Sequence, residues 1–379
     1  MRSIKIVADN KIPFLKGVLE AFAQMEYYPA NEITNAVLKD ADALIIRTRT
    51  ICNKELLQNT NVKFIATATI GYDHIDTEYC KLNNIHWRNA PGCNSGSVMQ
   101  YIASVLIALS QNFNFKFSEK TMGIIGYGHV GSKVAKLANT LGFNVLINDP
   151  PLARAGLLAH HIPLDDLLKK SDIISLHIPL NKQGIDKTFH LVDNVFLNKL
   201  KIATIIINTS RGEICNEKDL KNALKQKRIK TAVLDVWQNE PDIDRELLEL
   251  VELATPHIAG YSADGKANGT RMSVKAIGDF FGFRIEDCWP KKDTPLSTAP
   301  VLTIDVSEKS EQEIFSEAIL KTYDVRVDND QLRKSPVSFE KQRENYPIRR
   351  EFVNYSLNIN ANKSTLSEKL MGIGFKLTE

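Results

Sequence analysis

The sequence has few cysteines, little tryptophan, no long apolar run and no excess of one charge. Its five cysteines, Cys52, Cys80, Cys93, Cys215 and Cys288, are an odd and scattered set in 379 residues. None forms a C-x-x-C pair, which argues against a disulfide framework or a metal site and fits a reducing, cytoplasmic setting. The longest mostly apolar stretch, Tyr101 to Leu109, is far below the roughly twenty residues that a membrane span needs. The opening, MRSIKIVADN, reads at once as a strand and leaves no room for a signal peptide. Lys and Arg number 48 against 45 Asp and Glu, and no basic stretch is interleaved with aromatics. Neither a nucleic-acid nor a membrane partner is expected. What is present is a globular chain, 43% hydrophobic and 25% charged, long enough for two or three packed domains.

The stretch that organises the chain is Thr121 to Pro150, TMGIIGYGHVGSKVAKLANTLGFNVLINDP. Met122 to Ile125 is a short apolar run, Gly126, Gly128 and Gly131 supply G-x-G-x-x-G, and Val130, Val134, Leu137, Ala138 and Leu141 fall at helical spacing. Gly142 closes that helix, Asn144 to Asn148 makes a second strand, and Asp149 stands at its end. Gly126 allows the tight turn, Gly128 lets the main chain approach a pyrophosphate with no Cβ in the way, and Gly131 lets the helix pack on the sheet. The amides near His129 and Val130 then face the anion. Asp149 suits the adenosine ribose hydroxyls and repels a 2′-phosphate, so NAD is expected over NADP.

Before this stretch, Ile4 to Ala8, Ala43 to Thr48, Val62 to Ala68 and Ile85 to Trp87 read as strands, alternating with helices from about Ile12 and Ile75. That rhythm is α/β with a parallel sheet. The loops Arg47-Thr48-Arg49-Thr50 and Thr67-Ala68-Thr69-Ile70-Gly71 leave strands where open sheets collect ligands, although polar strand exits account for them equally well. Ala90 to Ser95 breaks the pattern and caps a helix striped with Val98, Ile102, Val105, Leu106 and Leu109, predicted to be buried and to cross between domains.

After Asp149, the runs Ile173 to His177, Thr204 to Asn208 and Thr231 to Asp235 read as central parallel strands. Their ends carry Ile178, Thr209-Ser210-Arg211 and Asp235 through Glu240, and a further edge delivers Thr255-Pro256-His257-Ile258-Ala259-Gly260-Tyr261. Arg211 suits a carboxylate clamp, and His257 exchanges a proton near neutral pH with a carboxylate such as Glu240 to orient it. Beside a nicotinamide these three make an alcohol-oxidising site. Singly, each is ordinary turn or surface chemistry; their common rim points to catalysis. His74, His86, His160, His161, His177 and His190 are read as structural or exposed.

The glycine stretch with Asp149, then Asn208 to Gly212, Leu234 to Trp237 through Glu240-Pro241, and Thr255 to Gly260, resemble the D-isomer-specific 2-hydroxyacid dehydrogenases over about the first 290 residues. The resemblance implies an NAD-dependent oxidoreductase with Arg211, Glu240 and His257 as its catalytic set. It also implies two Rossmann-like or flavodoxin-like doubly wound parallel-sheet domains with the site in the cleft between them. The substrate domain would be 1–97 with 262–289, and the NAD-binding domain 98–261. Ala66 to Thr69 with Asp73 to Asp76, Ala90 to Asn94, and Ile258 to Tyr261 followed by Gly265-Lys266-Ala267 are most similar to a branch that oxidises a phosphorylated four-carbon sugar acid for vitamin B6 synthesis. That similarity implies substrate contacts at Thr48, Thr69 and Tyr261, and cofactor contacts at Asp149, Ile178, Thr209, Ser210, Arg211, Asp235 and Gly260. The family pattern has hydroxyl residues where this chain has Thr48 and Ile178. Thr48 keeps the hydroxyl, whereas Ile178 offers only main chain or apolar contact.

The tail from about Trp289 is extra to the general family. Pro290, Pro295 and Pro300 mark a linker, Val301 to Val306 and Phe352 to Ile359 read as strands, and Ser310 to Leu320 and Thr365 to Met371 as helices. This small α+β domain, 290–379, carries Tyr323 to Arg326, Leu332 to Lys334, Asn345-Tyr346 and Arg349 to Glu351, which resemble the branch's C-terminal dimerisation domain and imply a homodimer. Arg47 and Arg49 are the cations expected at a substrate phosphate; Arg349 or Arg350 of the tail is a further candidate, with solvated surface charge as the other reading. Two other readings stand: another D-2-hydroxyacid dehydrogenase, of 3-phosphoglycerate or glycerate type, and a non-catalytic NAD-sensing binding protein of the same fold.

Overall fold

Strands Lys5–Asp9 (β1), Gln24–Tyr28 (β2), Ala43–Ile46 (β3), Phe64–Thr67 (β4) and His86–Arg88 (β5) form a fully parallel sheet in the order β2-β1-β3-β4-β5. This is a computed structural model, and it describes residues 3–285, 300–359 and 364–378. β3 and β4 are buried at every residue, as strands covered on both faces must be. The helix expected from about Ile12 does not form. Pro13 is followed by Phe14 at φ 62° and Gly17 at φ 88°, and residues 10–23 run as turns into β2. Helix Ala263–Phe281 packs on β4 of this sheet. Gly269 permits the approach, since a Cβ there would lie 2.5 Å from the Ala68 carbonyl oxygen.

The chain passes to a second compact unit at Asn94–Ser95 and returns at Tyr261–Ser262. In that unit Thr121–Ile125 (β6), Asn144–Asn148 (β7), Ile173–Leu176 (β8), Ile205–Asn208 (β9), Thr231–Leu234 (β10) and Leu253–Ala254 (β11) form another parallel sheet, in the order β11-β10-β9-β8-β6-β7. A parallel bridge from Ile147 to His161 extends the β7 edge. The strand order reverses between β6 and β8, so the glycine loop after β6 and Ile178 after β8 flank the crevice where such sheets bind ligands. Helix Ser95–Phe113 is buried without interruption from Gln100 to Ser110, in keeping with its nearly all-round apolar sequence.

Residues 300–378 belong to this second unit. Val301–Ile304 (β12), Ser356–Ile359 (β13) and Lys376–Leu377 (β14) form a parallel three-stranded sheet. Around it lie helices Glu311–Leu320, opened by a Ser310/Glu313 capping box, and Val325–Lys334, which the sequence did not suggest. This segment has no separate core: Ile304, Phe315, Phe352 and Leu357 join Tyr101, Val105, Met122 and Ile124 in one apolar cluster. The linker expected at Pro290 and Pro295, like Cys288, lies outside the described residues. Among the described residues the cysteines are free and buried, no helix is long and apolar enough to cross a membrane, and no group of three or more His, Cys, Asp or Glu is placed to hold a metal.

Candidate active site

The three loop glycines have different constraints. Gly126 sits at φ 90°, and a Cβ on it would lie 2.3 Å from the His177 carbonyl oxygen. A Cβ at Gly131 would meet the Gly126 carbonyl oxygen at 1.9 Å. Protein neighbours therefore demand both. At Gly128 nothing lies within 4 Å of the missing Cβ, which leaves open space before the helix His129–Leu141. That helix starts at Gly128 with no side-chain cap and no acid in its first turn, so its leading amides suit an anion. Asp149 accepts from the Tyr127 amide through Oδ2 (2.7 Å) and from the Leu152 amide through Oδ1 (3.0 Å), tying the glycine loop to helix Pro150–Arg154. Just past the end of β9, the buried Thr209 Oγ1 has no hydrogen-bond partner among the described residues. Open space at Gly128, uncapped amides and an orphaned hydroxyl fit a dinucleotide.

Beyond β9, Asn208 builds the next turn. Its Oδ1 accepts from the Ser210 amide at 3.0 Å and its Nδ2 donates to the Arg211 carbonyl at 2.8 Å. Ser210 Oγ donates to Leu176 O (2.7 Å) and accepts from the Ile178 amide (3.2 Å), so Ile178 joins the site through its main chain. Arg211 Nη1 donates to its neighbour's carbonyl, Ser210 O, at 2.7 Å. Gly212 lies flat on the next loop, where a Cβ would be 2.0 Å from the Trp237 carbonyl carbon.

Trp237 links three loops. Its main chain meets Gly212, its amide donates to Glu240 Oε1 at 3.0 Å, and its buried indole Nε1 donates to Thr255 O at 3.0 Å. Glu240 Oε2 in turn lies 2.8 Å from His257 Nδ1. With Nδ1 engaged, Nε2 is the ring nitrogen left for a substrate, and nothing among the described residues bonds to it. Burial alone would raise the Glu240 carboxyl, but the facing His257 charge and hydrogen bond, the Trp237 amide and the Arg343 cation hold it below the usual carboxylate range. The pair thus sets a carboxylate held in its charged form against the His257 ring.

Asp235 fixes the loop that carries His257. Its carbonyl accepts the His257 amide at 2.7 Å, and its buried carboxylate accepts from Thr255 Oγ1 (2.6 Å), the Ile258 amide (2.7 Å) and the Ala259 amide (2.9 Å). Burial raises this carboxyl, with the His257 charge and the three donors acting the other way. Gly260 and Tyr261 close the same loop, with the Arg343 guanidinium 5.7 Å from the Tyr261 ring centre and hydrogen-bonded to that side chain. Burial pushes the His177 ring down to about 3, and its Nε2 pairs with Ser175 Oγ at 2.9 Å, which makes it a neutral structural histidine.

In the first unit Thr48 is exposed, and Thr69 Oγ1 bonds Thr67 Oγ1 (2.8 Å) and Gly71 O (3.0 Å). Arg47 is not an available phosphate clamp, because Nε and Nη2 grip the buried Asp9 carboxylate at 2.8 and 3.2 Å. Arg349 of the tail is neither clamp nor surface charge: it is 5% exposed and bonded to main-chain carbonyls. Asn208, Gly212 and Trp237 are the supports that the sequence did not single out, although each stands inside a motif it did.

Residues 106–259 match the family described as D-isomer specific 2-hydroxyacid dehydrogenase, NAD binding domain, and 296–374 match a domain of unknown function, DUF3410. The chain is 48% identical over 353 residues to the erythronate-4-phosphate dehydrogenase of Bacteroides fragilis, which covers 92% of this chain and 97% of that protein. The chain belongs to the erythronate-4-phosphate dehydrogenase family. The erythronate-4-phosphate dehydrogenase of Proteus mirabilis is 38% identical over 378 residues, 99% of this chain and 100% of that one. Among solved structures, the D-lactate dehydrogenase of Aquifex aeolicus, complexed with NAD and lactic acid, is similar at a TM-score of 0.62 and 26% identity, covering 74% of this chain and 96% of that one. The Proteus mirabilis enzyme thus matches nearly the whole length of this chain, whereas the lactate enzyme matches about three quarters of it.

Proposed function

We propose that this chain oxidises 4-phospho-D-erythronate at C2 to 3-hydroxy-2-oxo-4-phosphooxybutanoate with NAD, in pyridoxal 5′-phosphate synthesis. The observation that carries the reading is the 2.8 Å His257–Glu240 pair, with Nε2 left open, in the same unit as the dinucleotide crevice. NAD, when bound, accepts the hydride from C2. His257 Nε2 takes the hydroxyl proton, Glu240 holds the ring's orientation and stabilises its charged form, and Arg211 binds the carboxylate and polarises the C2 oxygen. Cofactor contacts are assigned to Gly126, Gly128, His129, Val130, Gly131, Asp149, Ile178, Thr209, Ser210, Asp235 and Gly260, and substrate contacts to Thr48, Thr69 and Tyr261. The substrate domain is 1–97 with 262–289, the NAD-binding domain 98–261, and 290–379 the dimerisation domain of a homodimer. Exposed Val301, Val327, Val337, Ile348, Val353 and Met371 on that last segment support self-association. Free thiols support a cytoplasmic location.

The phosphate sets the substrate apart. D-erythronate should lose at least about a hundredfold in kcat/KM against 4-phospho-D-erythronate at equal NAD, because a phosphate gripped by charge contributes several kcal/mol of transition-state binding. Arg49, exposed beside Thr48 on the loop after β3, is the arginine to substitute first. Equal rates for the two acids would contradict the phosphorylated substrate, and no turnover of either would favour a binding protein.

Asp149 sets the cofactor. Asp149→Ala should raise the NADP-to-NAD ratio of kcat/KM by removing the charge that faces a 2′-phosphate, and should weaken both cofactors by releasing the Tyr127 amide. A wild-type protein that used NADP as well as NAD would contradict this role.

A further inference from the structure

His257 stands at φ 57°, a left-handed conformation that a histidine holds only when the chain around it is fixed. The two peptides that follow are held on both sides. Asp235 takes the amides of Ile258 and Ala259 at 2.7 and 2.9 Å. On the carbonyl side, Arg349 Nη2 donates to Ile258 O at 3.1 Å and to Ala259 O at 2.6 Å. Ser97 Oγ adds a bond to Ala259 O at 2.9 Å and accepts one from Arg349 Nη2 at 2.5 Å. We propose that Arg349, from the C-terminal segment, is the positioning residue that sets His257 against the substrate, so that the segment is part of the catalytic support and not only an interface.

Arg349 is itself fixed. Its guanidinium carbon lies 4.4 Å from the Tyr323 ring centre and 5.7 Å from that of Tyr346, and both phenols donate to Asp328 Oδ2, at 2.7 and 2.8 Å. The acids facing it are Asp328 in the tail and Asp235 beneath the loop. A buried cation between these two carboxylates, giving charge-assisted bonds to two consecutive carbonyls, joins the tail to the floor of the site. An ammonium can replace part of this, since it keeps the charge and a donor but loses the planar fork. An uncharged chain of similar size keeps neither. The dihedral of His257 and the direction of Nε2 depend on these peptides, and displacement of a reacting group by about 1 Å costs on the order of a hundredfold in rate.

The inference rests on His257 as the base of the proposed reaction. It is tested in the full chain with Arg349→Lys, Arg349→Met and Ser97→Ala. The readouts are kcat and KM for 4-phospho-D-erythronate, the NAD dissociation constant from tryptophan fluorescence, the urea midpoint, and the His257 Cε1–H resonance, assigned by its loss in His257→Gln. Arg349→Met should lower kcat at least about tenfold with KM and NAD affinity within about threefold, and should move the His257 resonance; Arg349→Lys should recover most of the rate, and Ser97→Ala should lose about two- to fivefold. A folded Arg349→Met with wild-type kcat and an unmoved resonance would overturn the proposal, as would a loss of kcat matched by equal loss of NAD affinity. If Arg349→Met does not fold, Ser97→Ala decides: an unchanged kcat overturns the role. Failure of the proposed function is separate, because it would appear as a wild type inactive on the phosphorylated acid, and the His257 resonance still tests Arg349 then.

Discussion

His257→Ala is expected to lose about a hundredfold to ten-thousandfold in kcat while the NAD dissociation constant stays within a few-fold of wild type. The ring is half-buried, with its side chain 32% exposed, and Nδ1 is held by Glu240, so the mutation removes one proton acceptor and disturbs little packing. The imidazole is paired to Glu240 whereas the glycine loop is tied to Asp149, which is why cofactor affinity should survive. Glu240→Gln should cost less rate and instead move the rate–pH profile toward acid, since loss of the facing anion favours the neutral imidazole that accepts the proton. Glu240 also contributes stability with a defined sign. Its carboxyl is held below the ordinary value in the folded protein, so that contribution is complete above the unfolded carboxylate range and is lost as the pH falls through the folded one. Steady-state kinetics across pH checks both variants. A His257→Ala enzyme near wild-type kcat would remove the histidine from the chemistry, and a wild-type profile in Glu240→Gln would remove the carboxylate.

Deleting residues 300–378 should destroy the second unit, not merely release a monomer. Helix Ser95–Phe113 packs against helices Glu311–Leu320 and Val325–Lys334, and Tyr101, Ile102, Val105 and Leu106, each 0% exposed, share a cluster with Ile314, Phe315, Ile319 and Phe352. Fully burying such side chains is worth about 1.5–3 kcal/mol each. Uncovering several exceeds the roughly 5–15 kcal/mol by which a domain is stable. Polar ties would go too: Asn329 Oδ1 accepts the β11 amide of Ala254 at 3.0 Å, and Arg333 caps the carbonyls of Leu248 and Val251, both at 2.7 Å. The truncated chain should be insoluble or melt more than about ten degrees below the full chain, and should bind no NAD. A soluble truncated protein with wild-type melting and NAD affinity would show that the tail is an appendage.

The sequence displayed its local chemistry more openly than its long-range packing. The glycine turn, its helix and both flanking strands were legible because a few adjacent residues determine them, as were the parallel strands with their continuous Ile and Val runs. Glu240 and His257 could be paired only because both end strands of one sheet. β2 was hidden because Gln24–Tyr28 is a half-exposed edge strand without an apolar run, and the helix near Ile12 was overruled by Phe14 and Gly17 at positive φ. Asp9 and Arg47 are 38 residues apart, at the ends of the neighbouring strands β1 and β3, so no local pattern reveals that the arginine is already paired. The tail reads as a separate domain because its elements alternate like one; that it shares a core with the Ser95–Phe113 helix depends on contacts some two hundred residues apart, such as the Val325 amide on Ser104 Oγ at 2.9 Å.

The central claim, oxidation at C2 with His257 as the base, is tested most directly by 4-phospho-D-erythronate carrying deuterium at C2. The expected result is one deuterium per turnover recovered in the reduced nicotinamide by mass spectrometry, with a matching amount of 2-oxo acid and none of either in His257→Ala on the same time scale. Deuterium released to water, or 2-oxo acid formed without reduced cofactor, would contradict the account.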